Sequence, residues 1–315
     1  MQLLLYRDES FNPNFYYHAG VDLDHCFLLC SRGGKTLFTP KLNESLARAS
    51  FRGRVVVFKD PLEALSKYIK GRAVLVDEYE MTAGMAKRLR KLCRLKDASA
   101  ELLRERMVKK PSEVRRIRKA VKHTKEILAS LDFKAAKTEL DLKKQILVAI
   151  AEKGLEPAFD PIVSADKNTS YPHYTSGKKK LGSLVLVDCG VRYEHYCSDL
   201  TRCFILDNSR KKKAQYEDLQ EICHEIVDGL PSLRTGRKVA AFADRLMKKA
   251  GFPRLIHSIG HGIGLDVHEL PELKQKSGDG IAGSVMAIEP AFYLKSYGMR
   301  YEEVIHFDGR KPHIL

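Results

Sequence analysis

Short apolar runs that meet a carboxylate recur through the second half of this chain. Leu184-Val185-Leu186-Val187 ends on Asp188, and Asp199 stands shortly before the run from Cys203 to Leu206. Val285 to Ile288 leads into Glu289, and Glu302 precedes Val304 and Ile305. Runs of this length between turn residues read as buried strands rather than helices. Like charges gathered at the ends of such strands repel each other unless something neutralises them. The pattern therefore asks for a sheet-rich domain that collects acids at one place.

The segment between the two aspartates suits a hairpin, with Gly190 and the polar stretch Arg192-Tyr193-Glu194-His195. A turn centred between Tyr193 and Glu194 sets Asp188 directly opposite Asp199, with Cβ atoms about 5 Å apart. A second concentration lies at His257-Ser258-Ile259-Gly260-His261-Gly262-Ile263-Gly264-Leu265-Asp266-Val267-His268-Glu269. Three of the chain's 11 histidines fall within it, and the glycines around His261 let backbone pack closely. Arg300 and Glu302, two apart, point to one strand face, and Glu303 to the other. Asp188, Asp199, His261, Glu289 and Glu302 form a set of hard oxygen donors with one nitrogen. Such a set can hold two divalent ions bridged by carboxylates.

Composition narrows the setting. The chain has 315 residues, 44% hydrophobic and 30% charged, which is a globular balance. No apolar stretch approaches the ~18 residues of a membrane helix, and Met1 to Leu5 is too short for a signal peptide, so a cytoplasmic protein is expected. The seven cysteines include no CxxC pair and are read as thiols. The formal net charge is +15. The basic runs Lys178-Lys179-Lys180 and Arg210-Lys211-Lys212-Lys213 carry no interleaved aromatics, so specific nucleic-acid binding is not expected.

Along the chain, strands at 26–30, 36–39, 55–58 and 73–76 alternate with helical patterns at 61–69 and 82–95, giving a small α/β domain over residues 1–108. The remainder, 109–315, reads as α+β with a largely antiparallel sheet. Its helices start at Pro111 and after Thr138, where Asp141 has capping-box spacing, and cover about 214–227 and 239–250.

From about residue 106 to 307 the chain resembles the metallopeptidases of the pita-bread fold, which include proline dipeptidases, Xaa-Pro aminopeptidases and methionine aminopeptidases. The resemblance is carried by Val187-Asp188-Cys189-Gly190, Ser198-Asp199-Leu200-Thr201-Arg202, Gly260-His261-Gly262-Ile263-Gly264, Ile288-Glu289-Pro290 and Arg300-Tyr301-Glu302, in family order. It implies that Asp188 chelates one metal, that His261 and Glu289 hold the other, and that Asp199 and Glu302 bridge both. The ions would be manganese, cobalt, zinc or iron. The family's accessory histidines fall on His173, His257 and His268. Glu289 would shuttle the proton, His268 would donate to the oxyanion, and His173 and His257 would orient substrate. Arg300 would grip a substrate carboxylate, or else pair with a ligand acid such as Asp199.

The N-terminal domain and the segment Arg106-Met107-Val108-Lys109-Lys110-Pro111-Ser112-Glu113 resemble those of proline dipeptidases. The resemblance therefore implies an Xaa-Pro dipeptidase acting on short proline-containing peptides, as a homodimer. The rivals are an Xaa-Pro aminopeptidase acting on longer peptides, and a non-catalytic member of the fold that binds protein or nucleic acid. The chain departs from the family at Ala291, at Asp166 and at Ala282-Gly283-Ser284-Val285. It also has Glu269, Pro271 and Glu272 where several proline dipeptidases carry Arg.

Overall fold

The computed structural model describes residues 1–315 and divides into two compact units, Met1–Arg106 and Met107–Leu315. In the first, six strands form one mixed sheet, in spatial order Arg54–Phe58, Gly34–Pro40, Cys26–Ser31, Gln2–Arg7, Ala73–Val76 and Arg94–Asp97. The three central strands are antiparallel, and the outer ones add in parallel. Alternation splits their side chains between two cores. Leu4, Phe27, Leu29 and Phe38 pack with Leu65, Ile69 and Leu89 on one face. Leu5, Cys26, Leu28 and Leu37 pack with Phe15 and Leu102 on the other.

The pattern at 82–95 is not one helix. The helix is Ala83–Leu89, capped by the Thr82 hydroxyl, and Arg94–Asp97 is an edge strand paired with Ala73–Val76. Helical spacing continues through Leu92, but pairing with the sheet edge gives the Arg94–Asp97 backbone its partners.

The second unit is α+β, and its strand pairs are antiparallel. One sheet orders Leu200–Ile205, Leu184–Cys189 and Ile162–Ala165. Another orders Glu269–Glu272, Gly260–Gly262, Ser284–Ile288, Glu303–Phe307 and Pro312–Ile314. The helices are Pro111–Ala129, Glu139–Glu152, Arg210–Leu233 and Gly236–Lys249. The capping box forms as its spacing implies: Asp141 accepts from the Thr138 N–H at 3.0 Å, and the Thr138 hydroxyl accepts from the Asp141 N–H at 3.2 Å. The third helix is longer than its apolar stripe suggests. It begins four residues early, at Arg210 with Ser209 as its cap, and Pro231 is accommodated near its end. Leu219, Ile222, Ile226 and Leu230 from that helix, with Val239 and Ala243 from the next, pack on Leu184, Leu186, Met286, Ile288 and Ile305. Apolar contact thus anchors the same strands whose ends carry Asp188, Glu289 and Glu302. No helix is long and apolar enough to cross a membrane.

Candidate metal centre

The hairpin between the two aspartates turns one residue later than expected. Tyr193 pairs with Tyr196, and the turn residues Glu194 and His195 have φ of 47° and 68°. Such a two-residue turn matches the twist of its strands. Thr201, not Asp199, therefore stands opposite Asp188. Asp199 lies two residues before Thr201, in the break between Tyr196–Cys197 and Leu200–Ile205. The two acids still meet: donor atoms of Asp188, Asp199 and Glu302 all lie within 4.8 Å of one another.

His261 sits on Gly260–Gly262, the strand beside Ser284–Ile288, with Ala287 opposite. Close approach demands the flanking glycines. A Cβ on Gly260 would lie 2.0 Å from the Ala287 carbonyl oxygen, and one on Gly262 2.1 Å from that of Leu270. His261 Nδ1 lies 3.0 Å from the Gly262 carbonyl, to which it can donate. That bond leaves Nε2 with a lone pair facing Asp199 at 3.6 Å and Glu289 at 4.0 Å. A second triad of donors, Asp199, His261 and His268, is as compact as the first. Asp199 belongs to both.

The remaining residues surround this core. Glu289 leaves the end of Ser284–Ile288, its N–H donating to Ile259 at 2.9 Å. His257 Nδ1 lies 3.7 Å from Glu289 and 2.7 Å from the Ser258 carbonyl, while Nε2 lies 3.1 Å from the Tyr293 hydroxyl. The His268 ring meets the His261 ring edge-on at 4.1 Å. His173 is exposed.

Arg300 is buried and bonds within the protein through all three nitrogens. Nη2 contacts Asp188 at 2.5 Å, Nε the Thr201 hydroxyl at 2.8 Å and Nη1 the Tyr293 hydroxyl at 3.1 Å. Its ion pair is thus with Asp188 rather than Asp199. The Thr201 hydroxyl in turn donates to Glu302 at 2.7 Å. Glu303 turns the other way, to Arg202, Lys125 and the Tyr301 hydroxyl. Thr201 and Tyr293 had drawn no role from the sequence. Thr201 lay inside a quoted motif, whereas nothing local marks Tyr293.

The electrostatics favour cation binding. Burial, reinforced by neighbouring acids, raises the carboxyls of Asp199 and Glu289 well above their usual range and lifts Glu302 to about 7. Burial lowers His257 to about 4 and, helped by His268, His261 to about 3, so both imidazoles are neutral bases at neutral pH. Asp188 Oδ1 is buried without a hydrogen-bond partner. Four carboxylates face a single buried guanidinium, and the orphaned oxygen points to a missing positive partner. The donor set fits divalent ions that accept oxygen and imidazole ligands.

The raised Glu302 carboxyl gives a test in metal-free protein. Between its ordinary value of 4.5 and about 7, the folded state keeps a proton that the unfolded chain releases. Its contribution to stability is therefore lost as pH rises through that window. Metal-free Glu302→Gln should gain stability over metal-free wild type from pH 4.5 to 7, by about 3 kcal/mol. Melting temperatures across that range check this; a pH-independent difference would contradict it.

Residues 115–308 match the model of metallopeptidase family M24, and residues 4–108 that of the creatinase/prolidase N-terminal domain. The chain belongs to metallopeptidase family M24. An Xaa-Pro dipeptidase of Pyrococcus horikoshii is 29% identical over 307 residues, covering 93% of this chain and 87% of its own. The solved structure of a prolidase from that organism superposes with a TM-score of 0.90 at 25% identity, over 99% of this chain and 92% of the other. An X-Pro aminopeptidase structure from Thermotoga maritima also reaches 0.90, at 23% identity over 99% and 94%, and so shares the fold. As an M24 member, the chain is a metallopeptidase with the pita-bread architecture that its motifs implied.

Proposed function

We propose that this M24 enzyme is a dinuclear exopeptidase cleaving the bond before proline, and that Xaa-Pro dipeptides are its preferred substrates. The observation carrying the reading is that Asp199 stands between two groups of donors, Asp188 and Glu302 on one side and His261 on the other, with the His261 Nε2 3.6 Å from Asp199 and 4.0 Å from Glu289. The full-length likeness to an Xaa-Pro dipeptidase supports the substrate. Asp188, Asp199, His261, Glu289 and Glu302 would hold the two ions, with Asp199 and Glu302 shared. Manganese, cobalt, zinc and iron all suit these donors. Bound, the ions lower the pKa of water and polarise the scissile carbonyl.

The protein's own groups do the rest. Glu289 would shuttle a proton to the leaving nitrogen. His268 donates an N–H to the oxygen that gains charge as the carbonyl is attacked. His173 and His257 orient the peptide, His257 braced by Tyr293. Arg300 changes role: with its nitrogens on Asp188, Thr201 and Tyr293 it positions Asp188 rather than gripping substrate. A homodimer, implied by the family resemblance, completes the reading, together with the cytoplasmic location expected from the sequence.

That change in Arg300 favours a second reading, an Xaa-Pro aminopeptidase acting on longer peptides, because a committed Arg300 cannot read a dipeptide's carboxylate. A panel of Xaa-Pro dipeptides, Xaa-Pro tripeptides and matched Xaa-Ala peptides separates the two. The dipeptides should show kcat/KM at least about tenfold above the tripeptides, and the alanine peptides should be poor. Faster cleavage of the tripeptides would select the aminopeptidase, and indifference to proline would refute both.

A further inference from the structure

We infer that the buried ion pair between Lys109 and Glu269 is a positioning device for His268, an inference that rests on the oxyanion role given to His268 above. Lys109 lies just before the helix Pro111–Ala129, and its N–H donates to the Gly283 carbonyl at 2.8 Å. Its side chain reaches Glu269, 160 residues along the chain, with Nζ 3.0 Å from Oε2. Both side chains are only 1% exposed. A pair of charges taken this far out of water is a weak source of stability, since well-packed apolar residues do as well or better. Its value is therefore sought in what it holds.

It holds the loop that carries His268. Glu269 is the next residue, and its other oxygen accepts the Asp266 N–H at 3.1 Å. One carboxylate thus ties down residues on both sides of His268 and is itself fixed by Lys109. The start of the loop is pinned too: the Gly264 N–H donates to the Asp266 carbonyl at 3.0 Å, and the Gly264 carbonyl accepts the Cys197 N–H at 2.7 Å. A Cβ on Gly264 would lie 2.5 Å from Glu269 Oε2 and 2.9 Å from Lys109 Cε, so this glycine lets the loop close onto the pair. His268 stands in the open part of the loop with its ring against His261. Its direction is set by backbone that the pair fixes, and a donor aimed at developing charge is sensitive to small displacements.

Removing one partner alone would strand a buried charge, so the test uses the double variant Lys109→Met/Glu269→Leu, with Gly264→Ala as an independent disturbance of the same contact. Each is compared with wild type in kcat, KM, bound metal and melting temperature, alone and combined with His268→Ala. Both should keep metal and KM within about twofold and lose kcat by about 10–100-fold, a part of what one oxyanion donor supplies. In the His268→Ala background neither should cost more, because the group being aimed is gone. A normal kcat in both, or losses that multiply fully with His268→Ala, would overturn the positioning role while leaving His268 itself intact. A normal kcat in His268→Ala alone would instead overturn the role of His268, and the inference with it.

Discussion

Asp199→Asn should bind fewer than two metal ions per chain and lose turnover by at least about 10³-fold, the scale on which charge stabilisation at a reacting centre acts. Asparagine keeps the size of the side chain and removes its charge. Asp199 is buried, 6% exposed, with Asp188 and Glu302 on one side and the His261 Nε2 3.6 Å away on the other. Its loss therefore weakens both positions, whereas a ligand to one ion would spare the other. The metal-free variant should not be less stable than metal-free wild type, because burial together with Glu302, Asp188 and Glu289 already disfavours the ionised Asp199. Elemental analysis of bound metal, kcat and melting temperature on one preparation read all of this. Two ions per chain in the variant would refute the shared position.

His268→Ala should cut kcat by about 10²–10³-fold while leaving metal content unchanged. Attack on the carbonyl puts more charge on its oxygen than the ground state has, so a donor there stabilises the transition state selectively. Burial lowers the His268 pKa, which keeps the ring neutral at neutral pH with one N–H to give. The geometry offers a rival, since His268 lies within ligand distance of Asp199 and His261. A ligand would show itself by lost metal and by partial rescue with excess metal. A merely structural residue would lower the melting temperature with kcat near normal. The three measurements together separate these cases, and rescue by metal or a near-normal kcat would show the assignment to be wrong.

What could be read from the sequence follows from where each signal resides. Strands such as Leu184–Cys189 and Ser284–Ile288 are locally apolar and end in acids, so both their type and their chemistry are written in a few residues. The capping box at Thr138 is equally local. The hairpin register was not, because Glu194 and His195 take the left-handed conformation without the glycine or asparagine that would announce it. Residues 94 and 95 read as the end of a helix because only a tertiary partner, Ala73–Val76, makes Arg94–Asp97 a strand. The central strand Gln2–Arg7 went unread for the same reason: its partners lie at Cys26–Ser31 and Ala73–Val76. In the site, residue types and order identified the donors, but not the network between them. Arg300, Thr201, Tyr293 and Glu302 are joined by contacts of up to 101 residues' separation, which no local spacing encodes. The Lys109–Glu269 pair is of the same kind.

The most direct test of a metal-dependent peptidase centre is to run the peptide panel on rigorously metal-free protein and again during stepwise addition of manganese, cobalt, zinc or iron. Hydrolysis of Xaa-Pro peptides should be absent at the start and should rise with at least one of these ions until two are bound per chain. Full hydrolysis by metal-free protein would contradict the account.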